Sequence, residues 1–303
     1  MSTITPGELQ ELLASAQPPI LIDVLPAEYF EYRHLPGAKN CCVYEVTFLD
    51  QVAAIAPDKE THIVVYGLQP HYLASDTACE KLSRAGYTRV RDFRGGLAQW
   101  EAAGLPLEQQ GGSPPSAPAL RIGRHTVDPA KSRVQWTGRN INGSHTGSLA
   151  IKSGSIEVAG SDLDHTASGE FLLDMDSIAN SDLTDNTLKR ILVAHLKSDD
   201  FFDVARFPTA TFRMLHVIMN SHAIAGTVNA DVTGSFALKD VTQDLGFPAT
   251  IELLPGGALS AEAHFDIDRT RWNVLYGSGR FFEYLGRNMV HDIVSLSLHI
   301  VTD

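Results

Sequence analysis

The period at which apolar residues recur changes once along this chain. In residues 1–108, short β-branched runs alternate with segments of helical spacing. Thr5 precedes Pro6-Gly7-Glu8, and Leu9, Leu12 and Leu13 follow at helical intervals, which predicts a capped helix. Ile20–Val24 and Ile63–Tyr66 read as buried strands. Ser75–Leu82 reads as a helix ended by Gly86, Arg89–Phe93 as a third strand, and Gly96–Ala103 as a helix stopped by Gly104. This order predicts an α/β domain with a largely parallel sheet.

Beyond residue 120 the period becomes two. In Thr227–Leu238 the even positions Val228, Ala230, Val232, Phe236 and Leu238 are apolar, with Gly234 among them. Phe247, Ala249, Ile251 and Leu253 alternate with Pro248, Thr250 and Glu252, and Val294, Leu296, Leu298 and Ile300 repeat the pattern. Val134 and Trp136, Phe171 and Met175, and Phe212 and Met214 extend it. Many such strands predict an antiparallel sandwich or barrel with one apolar face. One helix interrupts them: Leu188, Ile191, Leu192 and His195-Leu196 recur at helical spacing between Asp185 and Asp199-Asp200. Between the halves, EQQGGSPPSAPALR (108–121) has a composition that builds no core. The expected organisation is a domain over 1–108, a Gly/Pro/Ser linker over 109–120 and a domain over 121–303.

Composition narrows the function classes. Of 303 residues, 44% are hydrophobic and 20% charged, as in an ordinary globular protein. A net charge of −12, with both halves acidic, argues against nucleic acid and against anionic membrane surfaces as partners. No apolar run approaches the roughly eighteen residues of a membrane helix, so no stable membrane insertion is expected. The start MSTITPGELQELLASAQPPI has neither the basic nor the apolar region of a signal peptide. Cys41, Cys42 and Cys79 have no metal-ligand spacing. With no disulfide framework in view, the expected location is cytoplasmic.

The motifs LIDVLPAEYFEYRHLPGAKN (21–40) and RDFRGGLAQWEAAGLPLE (91–108) resemble the rhodanese superfamily. The resemblance places Asp23, Glu28, Pro36-Gly37-Ala38, Asn40, Gly95-Gly96 and Trp100 on the family scaffold, while Leu25 stands where an arginine is common and Arg33 where a glycine precedes the histidine. Rhodanese chemistry implies a cysteine thiolate directly after the strand Ile63–Tyr66, wrapped by backbone N–H groups and facing a helix amino end. Here that position is Gly67, or Gln69 if the usual loop length is kept, since the loop is about two residues longer. Neither supplies sulfur. Pro70 removes one N–H donor. Cys79 falls at a family position that packs on the sheet, and Cys41 and Cys42 follow the Pro-Gly-Ala turn into a strand. The loop residues Gly67, Gln69, His71, Tyr72 and Ser75 therefore mark a degenerate site, and sulfur transfer is not expected.

VDPAKSRVQWTG (127–138), HTGSLAIKSGSIEV (145–158), HLKSDDFFDVARFPTATF (195–212) and GSFALKDVTQDLGFPATIE (234–252) resemble the YceI-like, polyisoprenoid-binding family. That resemblance implies a lipocalin-like, eight-stranded antiparallel barrel with one inserted helix, and an elongated apolar ligand, an isoprenoid or acyl chain, inside it. Periodicity alone is equally compatible with a filled core. The candidate lining residues are Trp136, Phe171, Met175, Phe212, Met214, Phe236 and Phe265. The segment RFFEYLGR offers Phe281, Phe282, Tyr284 and Leu285 as a mouth or lid, or alternatively as a contact with the rhodanese domain or a homodimer contact. His195 with Asp199 and Asp200 is the nearest approach to a metal site, but the family resemblance reads this run as a helix-to-strand corner whose acids accept backbone N–H groups. No metal and no cofactor is expected. The leading expectation is a non-enzymatic carrier of an apolar small molecule with an inactive rhodanese module. The alternatives are a sulfurtransferase using Cys79 or Cys41, and a protein interaction platform.

Overall fold

A computed structural model describes residues 3–111, 113 and 118–303, in two compact units, Met1–Ala117 and Pro118–Asp303. Within the expected linker, Gly112 and residues 114–117 lie outside the described residues.

The first unit opens with α1 (Pro6–Leu13). Its Thr5 hydroxyl accepts the Glu8 N–H, and the Glu8 carboxylate accepts the Thr5 N–H. There follow β1 (Ile20–Asp23), α2 (Ala27–Tyr32), β2 (Lys39–Asn40), α3 (Phe48–Ile55), β3 (Ile63–Tyr66), α4 (Ala74–Arg84), β4 (Val90–Phe93) and α5 (Gly96–Ala102). The sheet order is β2-β1-β3-β4, with every pair parallel. The near-continuous apolar run of β3 has a simple cause, because both faces of this sheet are covered. Ile63 and Val65 pack with Val52, Ala78 and Leu82 on one side, and Val64 and Tyr66 pack with Leu9, Leu97 and Trp100 on the other. The two short helices α2 and α3 lay below the resolution of the sequence pattern. Cys41 and Cys42 correct an expectation: β2 ends at Asn40, and both cysteines lie just past it. The chain stays alongside β1 there through Cys41 N–H to Asp23 O (2.9 Å) and Val43 N–H to Val24 O (3.0 Å), with Asn40 Nδ2 donating to Leu25 O (2.8 Å).

The second unit contains β5 (Gly123–Thr126), β6 (Arg133–Asn140), β7 (Gly143–Val158), β8 (Ala167–Asn180), α6 (Asn186–Lys197), β9 (Thr209–Met219), β10 (Ala230–Leu238), β11 (Val241–Leu253), β12 (Leu259–Asp268) and β13 (Ile293–Val301). From β6 the antiparallel ladder runs through β13, β12, β11, β10, β9, β8 and β7, and β7 pairs back to β6. Eight strands thus close a barrel, and β5 adds a short ninth strand on β7. Closure removes the exposed strand edges an open sheet would present. Val228 departs from the expected inward row: β10 begins at Ala230, and Val228 precedes it, exposed, in an irregular stretch. Gly234 marks a bulge against β9, where a Cβ would lie 2.1 Å from Arg213 O and 2.9 Å from the Phe212 ring. Among the described residues no helix is long and apolar enough to cross a membrane.

Candidate functional site

Alternation sends every second side chain of the barrel strands inward, and the inward rows enclose two adjoining cavities. The inner one, about 120 Å³, is walled by aliphatic and aromatic side chains, with Glu262 the exception. Phe171, Phe212, Phe247 and Phe265 form a ladder across it: ring centroids are 6.3 Å, 5.5 Å and 4.2 Å apart in that order, the last pair nearly parallel. The outer cavity, about 270 Å³, shares Val134, Leu173, Phe236 and Leu296 with the inner one. Its rim carries Arg139, Asn140, His145, His195 and His291.

All seven strand-borne candidates border this interior. Phe171, Phe212, Met214 and Phe265 line the inner cavity, Trp136 and Met175 the outer, and Phe236 both. Phe281, Phe282, Tyr284 and Leu285 stand apart: none lines either cavity, and Tyr284 is 99% exposed.

The outer cavity is closed by groups that strand periodicity does not reveal. Leu192 and Leu196 of α6 reach it, and so do Phe201, Tyr276 and Val290 from irregular segments. The His195 ring lies edge-on to Phe201 and Tyr276, at 5.0 Å and 4.7 Å, and its Nε2 is 3.1 Å from the Asp200 carboxylate. Asp200 therefore takes the imidazole, in place of the backbone N–H expected of it. The buried Arg269 holds the closing segment by donating to Val274 O (2.5 Å), His291 O (3.0 Å) and Val290 O (3.1 Å). At the start of α6, Asp182 accepts from His145 Nδ1 (3.0 Å), Thr146 N–H (2.8 Å) and Asn180 Nδ2 (2.6 Å). Burial opposes its ionisation, but these bonds outweigh it and hold the carboxyl down at about 2.

In the first unit, the segment after β3 sits where a strand end meets a helix start. The Gly67 and Leu68 carbonyls accept the Leu97 and Ala98 N–H groups of α5, at 3.0 Å and 2.9 Å. Gln69 Nε2 and His71 Nε2 are 3.1 Å apart, and the His71 and Tyr72 rings lie 4.4 Å apart, tilted by 41°, on the exposed surface. Ser75 is buried at the first turn of α4. No sulfur joins this group. All three cysteines are free and buried. Burial, with Glu45 adding to it, pushes the Cys41 thiol up to about 11. Burial, then Asp92 and Asp76, pushes Cys79 up to about 12. Both thiols stay protonated at neutral pH, the opposite of what a sulfur-transfer nucleophile requires.

Comparison with known proteins places both halves. Residues 125–302 match the YceI-like domain, and residues 5–103 match the Rhodanese-like domain. In sequence, 100 residues are 34% identical to the adenylyltransferase and sulfurtransferase UBA4 of Candida albicans, covering 32% of this chain and 23% of that protein. A further 89-residue match, 29% identical, is to an HTH-type transcriptional regulator of Mycobacterium tuberculosis, covering 29% of this chain and 37% of that one. The chain spans well under two thirds of the length of either relative. Among solved structures, Burkholderia cenocepacia BcnA aligns over 58% of this chain and 99% of its own, at 23% identity and a TM-score of 0.44. A polyisoprenoid binding domain from Saccharophagus degradans aligns over 60% and 99%, at 14% identity and a TM-score of 0.43. With the barrel matched from end to end over more than half of the chain, this protein belongs to the YceI-like family and carries a rhodanese-like domain ahead of its barrel.

Proposed function

We propose that the barrel carries a long apolar molecule, an isoprenoid or acyl chain, and that the rhodanese-like domain is a non-catalytic scaffold or recognition module. The observation that carries this reading is the pair of adjoining cavities, whose walls are almost wholly apolar and include all seven strand-borne candidates. Such walls offer contact area and few hydrogen bonds, so affinity grows with chain length at about 0.8 kcal/mol per buried methylene. Apart from Glu262 in the inner cavity, the polar groups gather at the outer rim, which suits a ligand with one polar end.

The non-catalytic reading of the first domain is supported by Gly67 at the nucleophile position and by the buried, protonated Cys41 and Cys79. Free thiols without disulfide partners also favour a reducing compartment, the cytoplasm being the simplest. Solvent extraction of the purified chain followed by mass spectrometry tests the carrier function. A chain-like lipid in near-stoichiometric amount is expected, and a barrel that neither retains nor takes up a fluorescent acyl chain sinks the reading. A thiosulfate-to-cyanide assay is expected to show no turnover by the wild type.

A further inference from the structure

The two ends of the barrel interior differ, and depth can be followed along single strands. On β8, Ala167 and Phe171 border the inner cavity alone, Leu173 borders both, and Met175 and Ile178 border the outer alone. On β13 the same order runs from Ile300 and Leu298 through Leu296 to Val294. The outer cavity reaches the exposed side chains of Arg139 and His291. The inner cavity reaches Leu163, in the loop that joins β7 to β8.

That loop is fastened across the inner end. Ala159 N–H donates to Thr166 O at 3.0 Å and His165 N–H to Val217 O at 2.9 Å, while Met219 N–H donates to Asp164 Oδ1 at 2.9 Å. These bonds tie it to β9 and close it on itself. In its run SDLDHT, Leu163 is the one apolar side chain; it is buried, whereas Ser161, Asp162 and His165 are exposed. A polar loop that turns its single apolar residue into the cavity forms a plug. Val127, Val158 and Leu259 are buried in the same apolar cluster, and Val127 bridges to Thr302 just past β13. Glu262 borders this cavity, but it is exposed and its carboxylate meets His299 Nδ1 at 3.1 Å, away from the interior. One end of the interior therefore has a polar rim, and the other an apolar floor.

We infer, resting on the carrier reading, that the interior is a blind tunnel that selects its ligand by length: the apolar chain lies tail-inward, its polar end at the rim, and Leu163 is the floor at which the tail stops. Leu163 is then a specificity-determining residue, and the ligand class is a straight apolar chain with one polar end and a defined maximum length. The physical basis is a change of environment. Each methylene that enters the apolar walls strengthens binding about fourfold. Once the tail meets the floor, a further methylene stays in water at the mouth or overpacks the end, and the gain stops.

The test is displacement of a fluorescent acyl chain from the intact two-domain protein by straight-chain fatty acids, from decanoic to icosanoic acid. Wild-type affinity is expected to rise about fourfold per methylene up to a break, and by less than about twofold per methylene beyond it. Leu163→Ala, which removes the isopropyl end of the side chain, is expected to move the break to an acid about two or more methylenes longer. Leu163→Phe is expected to move it about one or two methylenes shorter. Decanoic acid, too short to reach the floor, is expected to bind both variants within about twofold of wild type. That invariance separates a floor from a merely structural residue, whose loss weakens every acid alike. Melting curves establish that the variants are folded, and Leu163→Phe alone decides if Leu163→Ala does not fold. A wild-type affinity that climbs without a break, a break that stays in place in the folded variants, or an equal loss for every acid overturns the inference and leaves the carrier reading intact. A wild type that binds none of the acids removes the carrier reading, and the floor with it.

Discussion

Gly96 closes against Gly67 so tightly that no other residue fits. A Cβ on Gly96 would lie 2.2 Å from the Gly67 carbonyl oxygen, and Gly96 has φ +57°. That same oxygen accepts the Leu97 N–H at 3.0 Å, so the loop after β3 and the start of α5 are one backbone-to-backbone joint. Gly96→Ala is expected to destabilise the first unit by about 1–3 kcal/mol from backbone strain alone. Hydrogen exchange in β3 and α5 reads the loss, and protection equal to wild type would refute the joint.

Gly67 is the opposite case. A Cβ there meets Ala74 Cβ at 3.5 Å and Ser75 N at 3.9 Å, which are ordinary contacts. Gly67→Cys is therefore expected to fold with a melting temperature close to wild type. Its thiol, beside the first turn of α4, is expected to alkylate at lower pH than Cys41 or Cys79. Mass-resolved alkylation against pH checks this, and a Gly67→Cys thiol as inert as Cys79 would count against the active-site assignment of the loop.

Asp23 sets a pH dependence of stability in the first unit. Burial raises its carboxyl from 3.8 to about 6, against the opposing effects of the Leu25 N–H and the neighbouring Tyr66 hydroxyl, and Oδ2 has no hydrogen-bond partner. A carboxyl with a higher pKa folded than unfolded holds more protons in the native state, so stability falls as pH rises from about 4 to about 6. The contribution lost is on the order of 2–3 kcal/mol. Asp23→Asn is expected to remove this slope while keeping an acceptor for the Leu25 N–H, giving the variant a relative gain at pH 7. Urea unfolding of both proteins across this range measures it. A parallel pH profile would refute the assignment.

The inner cavity predicts a separable effect on binding. Ala263 lies in its wall, paired with Leu298 on the neighbouring strand. Ala263→Phe places a ring in space that is already open, so unfolding free energy is expected to change by less than about 1.5 kcal/mol. Uptake of a long fluorescent acyl chain is expected to fall at least tenfold, by about the loss of two or more buried methylenes. Unchanged uptake would confine the ligand to the outer cavity.

Much of the fold was legible because each sheet stamps its environment on the sequence. β3 is apolar at every position because its sheet is covered on both faces, whereas β10 alternates because only one face meets the barrel interior. The same alternation assigns Phe171, Phe212 and Phe265 to the inward face, and all three line the inner cavity. The flanking motifs mark Gly67, or Gln69, as the position where the rhodanese resemblance implies a cysteine, and neither residue carries sulfur. Leu192, Phe201 and Tyr276 were not legible as cavity walls, since they come from a helix and loops whose placement depends on Arg269 and His195 contacts distant in sequence. RFFEYLGR shows the limit from the other side: its aromatics, expected as a mouth, a lid or a contact surface, line neither cavity and face solvent.

Local period by itself determined an α/β first half and an all-β second half with alternating inward rows, because period and residue identity need no partner to be read. The choice of a barrel over a sandwich, and the position at which a rhodanese would keep its sulfur, came from the resemblance of the motifs. Only the tertiary structure decided that the barrel interior is open and not filled, that Cys41 and Cys79 are shielded from ionisation, and that α6 buries none of its residues fully. Each of these depends on what packs against a residue from far along the chain, and burial, pKa and cavity volume have no one-dimensional signature.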